Sequence, residues 1–175
     1  LVVDVDEEFE SVIGQGDEML PNDVSAESLE RLTAIATDLA TAGREGKSIG
    51  AMFILGDHEE VMKRSKQLIL NPFHGYAEED RNILNPCMDE TIKELALIDG
   101  AFIVQGNGVV ESAGCLIQAK ADEIELPGGL GTRHAAAAAV TQVTDSLALV
   151  VSSSGQVTYF RKGRMFTLLE KSEGR

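Results

Sequence analysis

Gly128-Gly129-Leu130-Gly131-Thr132-Arg133-His134 runs directly into five alanines and Val140. Alanine is the best helix former, so the spacing predicts a helix that begins near Thr132 or Arg133. The first amides of such a helix have no partner within it and point into the glycine loop. Thr132 adds a hydroxyl, Arg133 a planar fork matched to phosphate oxygens, and His134 a further donor. Together these are the parts of a phosphate-chain site at a helix entrance. The alanines also have a purely structural use, because small side chains let a helix lie close on a sheet. Familiar phosphate-loop patterns are absent: there is no Gly-x-x-x-x-Gly-Lys-Ser/Thr, and Gly129-Leu130-Gly131 follows Glu-Leu-Pro and lacks the third glycine of a dinucleotide fingerprint.

Asp99, ahead of Gly100 and Ala101, is the second group with chemical potential. Asn85 and Pro86 read as a cap and a first-turn proline, and Met88, Ile92, Leu95 and Ala96 carry a helix to about Ile98. A carboxylate at that C-terminus opposes the helix dipole unless it is solvated, capped or facing a cation. A turn-forming Asp is the plainer use of the residue.

The elements that position these groups are legible in outline. Asp23 or Ser25 can cap a helix whose Leu29, Leu32, Ile35, Ala36 and Leu39 recur at helical spacing, with Gly43 as terminator. Ile49–Leu55 is a short apolar run closed by Gly56-Asp57 and reads as a buried strand; Lys66–Leu70, ended by Asn71-Pro72, reads as another. Strands at 101–105 and 109–117 flank Gly106-Asn107-Gly108, a hairpin signal. Further strands are expected at 147–151, 156–160 and 164–169. The fold class is α/β, a central mixed β-sheet flanked by helices.

The chain has 175 residues and a net charge of -14, from 29 acids against 15 bases. That balance argues against broad contact with nucleic acid, so no DNA binding is expected. Residues 1–30 hold ten of the acids and no base. We read 1–22 as an acidic extension or linker and 23–175 as one domain; a partner-binding role for the acidic segment has the weakest support. No apolar run approaches the ~20 residues needed to cross a bilayer, and the start lacks a signal peptide's basic region. Cys87 and Cys115 have neither metal-ligand nor disulfide-framework spacing, which fits a reducing, cytoplasmic compartment. The lack of an initiator Met points to a fragment of something longer. His58 and His74 read as surface or capping residues, and Arg161, Lys162 and Arg164 as a solvated hairpin tip.

Asp99-Gly100-Ala101, followed after a hairpin by Gly131-Thr132-Arg133-His134 and then by a strand ending in Ser152, resembles the diadenylate cyclase domain. Gly50–Asp57 and Asn71-Pro72-Phe73-His74-Gly75-Tyr76 resemble the upstream part of archaeal-type members, and the resemblance is strongest over 45–170. It implies condensation of two ATP into cyclic di-AMP with release of two pyrophosphates, dependent on Mg²⁺ or Mn²⁺, between protomers facing one another as a homodimer or within a higher homo-oligomer. By the same resemblance Asp99 is the metal ligand, and Asp99, Arg133 and His134 are the catalytic set. Thr132, Arg133 and His134 would hold the triphosphate, Gly131 and Ser152 would belong to the same ATP site, and Gly100 and Ala101 would leave room for the nucleotide. Leu116 stands where the family's backbone reads the adenine edge, and Cys115 where relatives often stack an aromatic residue on the base. Two departures stand out: Ala135 replaces the last cation of a common Arg-His-Arg, and Ser152-Ser153-Ser154 replaces a common Ser-Glu-Glu. They favour, as the alternative, a nucleotide-binding sensor with weak or lost turnover.

Overall fold

The computed structural model describes residues 20–169. Most of the acidic segment therefore lies outside the described residues. Among the described residues four α-helices, α1 (Ala26–Thr41), α2 (His58–Lys63), α3 (Met88–Leu95) and α4 (Thr132–Val143), surround a seven-stranded sheet. Its strands are β1 (Ala51–Leu55), β2 (Ser65–Gln67), β3 (Ala101–Val104), β4 (Val110–Ile117), β5 (Leu147–Val151), β6 (Val157–Arg161) and β7 (Arg164–Leu169). They are ordered β2-β4-β3-β1-β5-β6-β7, with β1–β3 parallel and the remaining pairs antiparallel. The expected mixed sheet with flanking helices is the observed architecture.

Burial on both faces explains why β1, β3 and β5 read as continuous apolar runs rather than alternating ones. Phe53, Leu55, Phe102, Leu149 and Tyr159 meet Leu32, Ile35 and Leu39 of α1 and Met88 and Ile92 of α3 on one side. Met52, Ile54, Ile103, Val150 and Phe160 meet Ala137, Ala138 and Val140 of α4 and Val61 of α2 on the other. The alanines of α4 thus serve as the close-packing face that their size predicted. Among the described residues, no helix is long and apolar enough to cross a membrane.

Several boundaries differ from expectation. Ser25 caps α1, its hydroxyl accepting from the Ser28 amide, while Asp23 instead accepts from the Asp57 amide at 2.8 Å. The second strand ends at Gln67, before Leu70, because Asn71 turns the chain: its side chain accepts from the Phe73 amide and donates to Glu111 O, and Leu70 is left 95% exposed. Asn85 accepts from the Cys87 amide and delays α3 to Met88. That helix stops at Leu95, so Asp99 sits in a following turn rather than on a helix end, which removes the dipole conflict. α2 is too short for its periodicity to show in sequence.

Candidate active site

The strand order brings three chain segments to one end of the sheet. β5 runs antiparallel to β1 with Ala51 opposite Val151, so Gly50 and Ser152 emerge side by side. β3 runs parallel to β1 with Phe53 opposite Phe102, and the same register carried back sets Gly50 against Asp99. β1 is central, and Gly50 therefore lies between the Asp99 turn and the Ser152 turn.

Above this row sits the entrance to α4. Its N-cap is Gly131, whose side-chain-free position leaves the first turn uncapped. Gly129–His134 and Val150–Ser154, with Gln156, enclose a cavity of about 290 Å³. Its polar surface comes from the helix entrance, Thr132, Arg133, His134 and the serine turn. Within that turn Ser152 Oγ lies 2.9 Å from Ser154 Oγ and accepts from the Gln156 amide at 3.0 Å, and Ser48 Oγ donates to Ser153 O. Ala135 is exposed and does not line the cavity.

Arg133 is half-buried, and among the described residues no carboxylate or carbonyl pairs with it. A guanidinium is a planar fork whose donors match carboxylate and phosphate oxygens in pairs. His134 is only 7% exposed and packs edge-on against Phe160, ring centroids 6.0 Å apart. Burial, and secondarily the Arg133 charge, push its pKa below the usual imidazole value, so the ring is neutral at pH 7 and offers one N–H.

The remaining expected residues divide. Gly100 and Ala101 follow Asp99 at the sheet end, with Ala101 buried and paired with Cys115. Cys115 itself is fully buried: its thiol donates to Gln67 Oε1 at 3.0 Å and lies 3.2 Å from Ser112 Oγ, and burial raises its pKa. Leu116, 44% exposed on the neighbouring position, is the side chain that meets solvent there. Arg161 is not a solvated tip residue; it is buried, 2.6 Å from Asp145 Oδ1, and β5–β6 pairing sets it at the opposite end of the sheet. His58 begins α2 at that far end. A larger apolar groove of about 570 Å³, walled by Phe73, Tyr76, Met88 and Leu95, shares no residue with the α4 entrance.

Among the described residues no three His, Cys, Asp or Glu side chains gather to hold a metal. Asp99 is a single exposed carboxylate. That donor set suits a hard divalent cation that keeps most of its water, and does not suit a cation held by protein alone. Sequence reasoning missed Gly50 and Gln156 as parts of the site, whereas Gly129 and Leu130 lie in the glycine loop it singled out. For Gly50 the available signal was a glycine placed immediately before a buried strand.

In class this is an α/β protein whose mixed sheet gathers Asp99, Gly50 and Ser152 at the end where α4 begins. A family model described as "DisA bacterial checkpoint controller nucleotide-binding" matches residues 38–165, and the chain belongs to this DAC family. It is 41% identical over 139 residues to a diadenylate cyclase of Methanocaldococcus jannaschii, covering 79% of this chain and 44% of the relative. A Haloferax volcanii diadenylate cyclase is 36% identical over 135 residues, covering 75% and 48% respectively. The chain thus spans less than half the length of these relatives. DacA from Staphylococcus aureus, solved as a double mutant, shares the fold with a TM-score of 0.54 at 20% identity, covering 82% of this chain and 87% of the other.

Proposed function

We propose that this chain is the catalytic domain of a diadenylate cyclase, joining two ATP molecules into cyclic di-AMP and releasing two pyrophosphates. Each 3′-hydroxyl oxygen forms a bond to the other nucleotide's α-phosphorus, each α-phosphorus loses pyrophosphate, and each hydroxyl gives up its proton. The observation that carries this reading is that Asp99, Gly50 and Ser152 share one sheet end, where Arg133, without an ion pair among the described residues, rests against Gly50.

In this reading the α4 amides, Thr132, Arg133, neutral His134 and Ser152 hold the triphosphate, and Arg133 draws charge from the departing pyrophosphate. At about 290 Å³ the cavity is sized for the phosphate chain, so ribose and base lie outside it, toward Gly100, Ala101 and Leu116. Cys115, being fully buried, does not take the stacking position that the resemblance implied. Asp99 would hold Mg²⁺ or Mn²⁺, which when bound neutralises phosphate oxygens and favours the ionised hydroxyl. Catalysis then rests on placement and charge stabilisation rather than on a covalent enzyme intermediate.

The reaction needs two nucleotides face to face, so a homodimer with two-fold symmetry completes the site. The need for ATP and the two free thiols support a cytoplasmic location. Purified protein incubated with ATP and Mn²⁺ or Mg²⁺ should yield cyclic di-AMP by mass spectrometry, with specific activity falling on dilution as the facing pair separates. ATP binding without product at any protein concentration would replace this reading with the sensor.

A further inference from the structure

We propose that Gly50 is a positioning residue that acts through Arg133; the inference rests on Arg133 as the phosphate-binding group. A Cβ at position 50 would lie 2.6 Å from Arg133 Nη1, 3.2 Å from Cζ and 3.4 Å from Nη2. Its three nearest neighbours all belong to one guanidinium, so the planar head of Arg133 occupies the space that a side chain at 50 would fill. Gly50 is not among the residues with positive φ, so backbone conformation does not demand glycine there. The demand comes from the close approach.

This contact gives the fork a fixed seat. A free Arg side chain loses much rotamer freedom when it binds, and bidentate recognition of phosphate depends on the orientation of the fork. Among the described residues no ion pair fixes Arg133, and its guanidinium lies flat against the backbone of Gly50. Gly50 and Ser152 emerge side by side, so the fork resting on Gly50 lies beside the serine turn with which it lines one cavity. A side chain at 50 would displace a flexible head rather than backbone, so the sheet absorbs the change while the fork moves.

The test is ATP affinity measured by calorimetry on the 175-residue chain in EDTA, where turnover does not contribute. Wild type, Gly50→Ala, Arg133→Ala and the double variant form a cycle. Arg133→Ala should weaken ATP binding by roughly tenfold or more, the scale of a lost charge-assisted hydrogen bond. Gly50→Ala should weaken it by about fivefold alone and add nothing in the double variant, with its melting midpoint at the wild-type value. Additive losses, or a Gly50→Ala protein that melts well below wild type, would assign Gly50 to the fold and overturn the inference. Unchanged affinity in Gly50→Ala beside a clear loss in Arg133→Ala would overturn it while leaving the proposed function in place. Unchanged affinity in Arg133→Ala would remove both.

Discussion

Gly100 rests on the backbone of Gly114: its φ is +111°, and a Cβ at 100 would lie 2.6 Å from the Gly114 carbonyl carbon and 2.7 Å from the Cys115 nitrogen. The Asp99 turn is thereby pressed onto β4, immediately before Ala101 pairs with Cys115. Neither the conformation nor the space admits an L side chain, and the obstructing atoms are backbone that cannot rotate aside. Gly100→Ala should cost about 2–4 kcal/mol from left-handed strain and overpacking together, and product formation should fall with it. Urea denaturation checks the first; a wild-type midpoint would show that the turn opens freely.

Asp99→Asn should separate chemistry from stability. Asp99 is exposed and, among the described residues, has no ion pair, so the substitution should shift stability by no more than about 0.5 kcal/mol. Cyclic di-AMP should disappear while ATP still binds in EDTA. Product at the wild-type rate would contradict the role proposed for the carboxylate.

His134 sets a pH dependence whose sign follows from its lowered pKa. Above the unfolded value of 6.5 both states hold a neutral ring and the full stability is present. As the pH falls from there toward the folded pKa, the unfolded chain takes up the proton first and stability is lost. Melting curves from neutral to mildly acidic pH should show a decline that is shallower in His134→Gln. An equal decline in both proteins would trace the effect to other groups.

Tyr159 fastens α1 to the sheet. Its hydroxyl lies 2.6 Å from Thr33 Oγ1, and the Thr33 hydroxyl hydrogen is committed to Leu29 O at 2.8 Å, so the phenol donates. Burial pushes its pKa up to about 12. With the folded pKa raised, its contribution is complete below the ordinary value of 10.0 and is lost as the pH climbs toward about 12. Tyr159→Phe should cost about 1 kcal/mol in thermal or urea unfolding and flatten that alkaline loss.

How much of this was legible beforehand depended on the range of the interaction involved. The start of α4 at Thr132 follows from alanine propensity and glycine permissiveness, both local, and the strand runs 147–151 and 164–169 matched for the same reason. Element ends were harder. Asn71 and Asn85 spend their side chains on local amides and so shorten the apparent strand and the apparent helix beside them. Arg161 was misread because its sequence neighbours are turn residues, whereas its partner Asp145 comes from the loop before β5.

The amino-acid order by itself determined the element types, the glycine-walled helix entrance and the residues able to meet phosphate, because propensity, periodicity and side-chain chemistry act within a few positions. Only the tertiary structure decided that Asp99, Gly50 and Ser152 share one sheet end, that the Arg133 head lies on Gly50, and that Cys115 is buried while Leu116 is exposed. Those relationships depend on strand order and register, which are set by how two apolar faces of one sheet are covered at once, and no local segment encodes that.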